Sequence, residues 1–320
     1  MPNDVPPDRR PSQAMAADEI VRAVLTEHPV RVVAALTTEV TREAARRHQA
    51  GPAAALALGR GLTAGLLLAT LTKDEERVSL QVLGDGPLGG VTVDADSGGA
   101  ARGYVKNPHT AFPASAAGAP GRPSLAALVG ENGIVSAIRD LGLRESFSGQ
   151  TALASGEIDE DVERYLLESE QIASALACDA IVAPGGSLEV VGGILVQALP
   201  GSDGDQVVAA AREALRAGGL RAILAAGPDS AEALIDVALG SRFGAVQVLD
   251  HRPVRFHCPC SRSRAATSLA LLGDAELSAM ILEDGKAEVT CNFCRARYEF
   301  DETALETIRR ELTKSNQPPS

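Results

Sequence analysis

Phe256-His257-Cys258-Pro259-Cys260-Ser261-Arg262 and, with thirty residues between Cys260 and Cys291, Cys291-Asn292-Phe293-Cys294 form the stretch on which the organisation of this 320-residue chain turns. Two chelating cysteine pairs offer four thiolates, the donor set that tetrahedral Zn²⁺ takes in a closed structural site with Zn–S near ~2.3 Å. The pattern predicts Cys258, Cys260, Cys291 and Cys294 as zinc ligands. The first pair is C-x-C in place of C-x-x-C, and the spacer is wider than the ~15–20 residues of common zinc ribbons. His257 adjoins the first pair, but four thiols already complete the set. Asp284-Gly285 is a hairpin signal, so the second pair is expected to leave a short β-ribbon. Residues 258–300 hold few large apolar side chains, and a module of that size needs a metal or disulfide staple to fold. The same thiolates are what oxidants attack, and a disulfide across one intervening residue is strained and reversible. The module therefore reads as a switch, zinc-bound when reduced and loosened when oxidised.

Upstream, helix and strand are mixed without regular βαβ alternation, which predicts an α+β fold: a mixed sheet-and-helix N-terminal core, a helical linker and a small C-terminal zinc-binding module. Helical spacing of Ile20, Val21, Val24 and Leu25 predicts a helix over residues 15–28. A strand is expected at 30–37, then helices at 39–49 and 52–71, the second apolar enough to be buried on several sides. Short strands from 78 to 105 read as a β-meander, with further strands at 134–138, 147–153, 174–183 and 189–198. Gly84-Asp85-Gly86-Pro87-Leu88-Gly89 matches a dinucleotide-binding pattern, but another strand follows it where a helix should open, so it reads as a turn. The acids of residues 157–170 read as the solvated face of a one-stripe helix. Beyond Pro200, three short alanine-rich helical patterns at 207–217, 220–226 and 229–239 bury only a thin stripe, Val207, Val208, Leu215, Leu234, Ile235 and Leu239, and should be marginal without tertiary support.

Composition narrows the function. Alanine fills 54 positions, there is no Trp, and three Tyr and six Phe give little for base stacking. The net charge of −12 repels polyanions, which disfavours nucleic acid and anionic membrane. The apolar stretch 61–72 falls short of the ~18–20 residues that span a bilayer, so no transmembrane helix is expected. Residues 1–13 lack an apolar signal core and read as a disordered tail of a cytosolic protein. Cys178 leads an apolar strand and is expected to pack as a small hydrophobe.

At the cysteines the chain resembles the 33-kilodalton heat-shock protein family of redox-regulated holdase chaperones. The likeness extends through Leu282-Glu283-Asp284-Gly285, Tyr298 and Phe300, and upstream through Gln81-Val82-Leu83-Gly84-Asp85-Gly86-Pro87-Leu88, Ser155-Gly156-Glu157-Ile158, Ser169-Glu170-Gln171 and Gly192-Gly193-Ile194-Leu195-Val196-Gln197. It implies a non-enzymatic chaperone with a core over residues 14–200, a metastable linker over 201–257, a zinc-binding redox switch over 258–300 and a C-terminal helix and tail over 301–320. It further implies Zn²⁺ on the four thiolates in the inactive state and Cys258–Cys260 and Cys291–Cys294 bridges on oxidation. The linker then unfolds, the chain binds unfolding client proteins without ATP, dimerises when oxidised and hands clients to ATP-dependent refolding chaperones. Two departures from the family pattern stand out, Ser263 in place of an acid and Arg295 in place of a glycine. The rival reading is a zinc-ribbon nucleic-acid module contacting phosphates through Arg262, Arg264, Arg295 and Arg297, yet residues 251–300 carry seven basic against six acidic side chains.

Overall fold

The computed structural model describes residues 16–72, 76–113, 121–140, 147–200 and 203–315, so the expected N-terminal tail lies outside the described residues. The chain divides into two units, the first ending at Phe256 and the second beginning at His257.

The first unit opens with β1 (Glu19–Leu25) where a helix was expected from spacing. The correction has a simple cause. Ile20 enters one core while Val21, Ala23 and Leu25 enter another, so the strand is apolar on both faces and loses the alternation that marks a half-buried strand. β2 (Val30–Leu36), α1 (Thr38–His48) and α2 (Pro52–Ala69) follow as the spacing predicts. Next come β3 (Arg77–Gly84), β4 (Val91–Asp96) and β5 (Ala100–Val105), the short α3 (Ala126–Val129), and β6 (Gly133–Asp140) and β7 (Phe147–Ala152). α4 (Ile158–Glu168), β8 (Ser174–Val182) and β9 (Leu188–Ala198) complete the core.

Two sheets result. One has the order β10-β1-β2-β9-β8 and the other β11-β5-β4-β3-β6-β7, where β10 (Val246–Pro253) and β11 (Arg255–Phe256) come from the chain after the helical linker. α2 lies between the sheets, in the core that draws side chains from both. Gly61 and Gly65 let β4 approach it: a Cβ there would stand 2.7 Å from Val91 and 2.6 Å from Val93. The helix, 18 residues with mean hydropathy 1.4, is long and apolar enough to cross a bilayer, against the expectation from the shorter stretch 61–72, but 94% of it is buried inside this core.

The far face of the five-stranded sheet forms a second apolar core with the linker. That linker is α5 (Asp205–Ala214), a π-helical turn (Leu215–Gly219), α6 (Leu220–Ala225), α7 (Ala231–Ile235), a second π-helical turn (Asp236–Gly240) and α8 (Ser241–Phe243). Its last part is extended, since β10 pairs with β1 from Glu19↔Pro253 to Leu25↔Val246.

The acidic run of α4 also needs correcting. Asp159, Asp161 and Glu163 are buried, because their carboxylates take the place of missing backbone partners. Asp161 accepts from the amides of Ala154 and Ser155, Asp159 from Cys178, and Glu163 from Leu176 at 2.8 Å. The last two amides belong to β8, the edge strand of its sheet, and arginines neutralise the charges from outside. Composition alone cannot tell such acids from a solvated face.

The second unit contains α9 (Arg262–Ala270), α10 (Asp274–Glu283), the antiparallel ribbon β12 (Lys286–Thr290) with β13 (Arg297–Asp301), and α11 (Glu302–Ser315). Its core is Ala265, Leu269, Leu277, Phe300, Leu305 and Ile308, so the apolar packing runs past residue 300 into α11. Asp284-Gly285 does not make the hairpin turn. Gly285, at φ +64°, returns its amide to Met280 O at 3.0 Å and ends α10, as a left-handed glycine commonly does.

Candidate metal and redox centre

The turn of the β-ribbon is the C-x-x-C segment itself. Thr290 pairs with Arg297, the Cys291 amide donates to Ala296 O at 2.9 Å, and the Arg295 amide donates to Cys291 O at 2.9 Å. Closing this turn puts Arg295 in the left-handed region at φ 62°, which explains why a glycine suits that position. The C-x-C pair sits just before α9, whose first turn is capped by the Ser261 hydroxyl accepting from the Arg264 amide.

These two segments bring all four predicted ligands together. One ligand atom from each of Cys258, Cys260, Cys291 and Cys294 lies within 4.8 Å of the others, with Cys258 Sγ 3.7 Å from Cys291 Sγ and Cys260 Sγ 3.2 Å from Cys294 Sγ. Sulfurs at the corners of a tetrahedron with ~2.3 Å metal–sulfur bonds stand roughly 3.8 Å apart, so the donor set fits a metal ion of that size. Cys294 is buried and the other three are half-buried.

Burial and the crowding of neighbouring sulfurs push the Cys294 thiol up to about 12, and burial raises Cys291 in the same direction. A cation among them reverses the effect, because it stabilises the thiolates that burial penalises. Tyr298, on β13, donates its hydroxyl to Cys260 Sγ at 3.1 Å, and this hydrogen bond raises the phenol to about 12. Tyr298 had no assigned role in the sequence; its place four residues beyond Cys294, on the strand that leads away from the turn, is the signal that finds it.

Two of the four arginines of the rival reading, Arg262 and Arg297, are engaged within this unit. Arg262 stacks its guanidinium 4.4 Å from the Phe300 ring centroid and donates to Glu299 O, and Arg297 lies 3.7 Å from Glu288.

Away from the cysteines, Val208, Leu215, Leu234, Ile235 and Leu239 are buried against the five-stranded sheet, and Val207 is half-buried beside them. Leu220 and Leu224, from the middle helical pattern, belong to the same stripe and were not among the residues expected in it. Cys178 is fully buried and burial holds its thiol well above the ordinary range, in keeping with a packing role. The Gly84–Gly89 segment is a turn in which Asp85 accepts from Asn132, with no helix opening after it.

The profile of the Hsp33 protein family matches residues 18–301. The chain belongs to the Hsp33 family. It is 42% identical over 313 residues to a "33 kDa chaperonin" of Gloeobacter violaceus, covering 95% of this chain and 99% of that protein. It is 36% identical to the "33 kDa chaperonin" of Bacillus subtilis, covering 93% of this chain and all of that one. The crystal structure of the Hsp33 homologue from Thermotoga maritima superposes with a TM-score of 0.75 at 29% identity, covering 93% of this chain and 99% of that one. The mixed α+β architecture is thus that of an Hsp33 protein, and the C-terminal cysteine cluster is consistent with a zinc module.

Proposed function

We propose that this Hsp33 protein is an ATP-independent holdase, inactive while Zn²⁺ occupies Cys258, Cys260, Cys291 and Cys294 and active after those thiols are oxidised. The observation that carries the reading is the cover on the five-stranded sheet. Val21, Ala23, Val32, Ala34, Ile194 and Val196 form a continuous apolar face, and the linker helices that hide it are each ten residues or shorter, broken by two π-helical turns. Such segments have little helical stability of their own. A face of this kind, once uncovered, binds apolar segments of unfolding proteins.

Zinc, when bound, holds the small C-terminal unit folded. The thiolates supply the switch: each bridge forms as two thiols give up two electrons and two protons to a peroxide, which leaves as water. The family resemblance assigns the bridges to Cys258–Cys260 and Cys291–Cys294. The shortest sulfur separations run between the pairs, but they are those of ligands around one point, and loss of the ion leaves sequence neighbours to close the smallest loops. Phe256, whose strand β11 pairs with β5, precedes Cys258 by two residues, so the chain runs from the end of the linker segment straight into the metal-binding pair.

The test is suppression of aggregation of a thermally unfolding client by the reduced, zinc-loaded protein and by the peroxide-treated protein, side by side. Activity in the oxidised form alone is expected. Equal activity in both forms removes the redox control, and none in either removes the chaperone reading.

A further inference from the structure

The linker does more than cover an apolar face. Arg212 on α5 places Nε 2.6 Å from Glu163 Oε1 and Nη2 2.8 Å from the carbonyl of Ser174. Arg216, in the following π-helical turn, reaches the same Glu163 oxygen at 3.1 Å. Arg221 on α6 places Nη1 3.1 Å from Asp179 Oδ2 and 3.3 Å from the carbonyl of Ala180. Each acceptor pair joins one nearly buried carboxylate, Glu163 at 9% or Asp179 at 2% side-chain exposure, with a carbonyl of the edge strand β8. The remaining oxygens of both carboxylates are taken by core partners, Leu176 N on Glu163 Oε2, and Arg60 and Ala180 N on Asp179 Oδ1. The carboxylates therefore stay fixed in place if the linker leaves, and the linker arginines are what they lose.

We infer that the uncovered face is selective, and that the segment it takes is an apolar stretch of an unfolding protein carrying arginine. This rests on the holdase reading above. The linker is then a built-in occupant, holding by leucine and arginine the places that a client segment later fills. A carboxylate beside a carbonyl of the edge strand is an acceptor fork: Arg212 meets it with Nε and Nη2, two separated N–H groups of one planar guanidinium, and Arg221 meets its pair from Nη1. An ammonium offers a point charge on one nitrogen and cannot span the acceptors of Arg212 in the same way, so the contrast with lysine falls mainly on that position. Loss of the linker also leaves nearly buried carboxylates short of a donor, which penalises any occupant without one.

The experiment measures binding of a fluorescent peptide with the sequence of residues 205–225 to the oxidised full-length protein. It is repeated with Arg212, Arg216 and Arg221 of the peptide replaced together by Lys, and together by Gln. The arginine peptide should bind at least about tenfold more tightly than the lysine peptide, which keeps its charge, and more tightly still than the glutamine peptide. It should also compete with an unfolding client. Glu163→Gln and Asp179→Asn in the protein should shrink the preference, while the peptide series uses the unaltered protein and so does not depend on those variants folding. Binding of the three peptides within twofold of one another, by an oxidised protein that does suppress client aggregation, overturns the arginine sockets and leaves the holdase reading standing. An oxidised protein that suppresses no aggregation overturns both.

Discussion

Arg60 and Asp179 meet inside the core with Nη2 2.9 Å from Oδ1, at 0% and 2% side-chain exposure. Arg60 interrupts the most apolar helix of the chain, yet each of its three guanidinium nitrogens has a partner: it also pairs with Glu157 at 2.8 Å and donates to the carbonyl of Pro123 at 2.8 Å. Glu157 in turn accepts from the amide of Leu125, so the one arginine ties α2 to the loop before α3, to the start of α4 and to β8. Removing one partner of a buried pair leaves the others charged and desolvated, which costs about 3–5 kcal/mol. Arg60→Ala should lower the stability of the first unit by that amount in denaturant unfolding. A loss below about 1 kcal/mol would mean that water enters and satisfies the two acids.

For the metal centre, zinc analysis of the reduced protein should give one ion per chain, and none in a Cys291→Ser plus Cys294→Ser variant. The apolar core of the second unit is six buried side chains, two of them on α11, and structural zinc contributes an apparent ~10–16 kcal/mol in modules of this size. Chelation should therefore abolish the protected amides of β12 and β13 and leave those of α2 unchanged. Retention of the ribbon without metal would make the ion an occupant and not the fold.

Arg295 gives a third expectation. A non-glycine residue in the left-handed region costs about 1–2 kcal/mol, offset in part by the greater freedom that glycine has when unfolded. Arg295→Gly should stabilise the zinc-bound turn by about 0.5–1 kcal/mol, visible as a several-fold slower loss of zinc to a chelator. Faster loss would show that the arginine side chain contributes more than its backbone strain takes away.

The cysteine centre was legible because chelation fixes spacing in the sequence, and the linker stripe because six residues repeat at helical intervals. β1 and the acids of α4 escaped the reading for one physical cause, a second buried surface. β1 lost its alternation because both of its faces are covered, and the acids of α4 looked solvated because their partners, Arg122, Arg212 and the amides of β8, lie far away in sequence. Asp284-Gly285 carries a turn signal in either context, and only the amide of Gly285 bonded to Met280 O tells a helix end from a hairpin.

The linker provides the last prediction, because the structure separates its covered from its open positions. Leu234 and Ile235 are fully buried on the sheet, while Val237, two residues further, is 62% exposed. α7 is five residues long, capped by the Ser230 hydroxyl on the Ala233 amide and tied to β1 by the Ala231 amide on Glu19 Oε1 at 2.8 Å, and it runs straight into a π-helical turn, so most of its hold is this apolar contact. A carboxylate placed at 234 or 235 must either sit desolvated against Val32 and Ala34 of the sheet core or pull the helix away, and for so short an element leaving is the cheaper course. Leu234→Asp or Ile235→Asp should therefore show partial holdase activity with zinc bound and all four thiols reduced, whereas Val237→Asp should stay as inactive as the unaltered protein. Hydrogen exchange should report lost protection across residues 205–245 in the first two variants and, on oxidation, in the unaltered chain. Equal protection of that segment before and after oxidation would take the linker out of the mechanism and leave the unfolding of the zinc unit alone to account for activation.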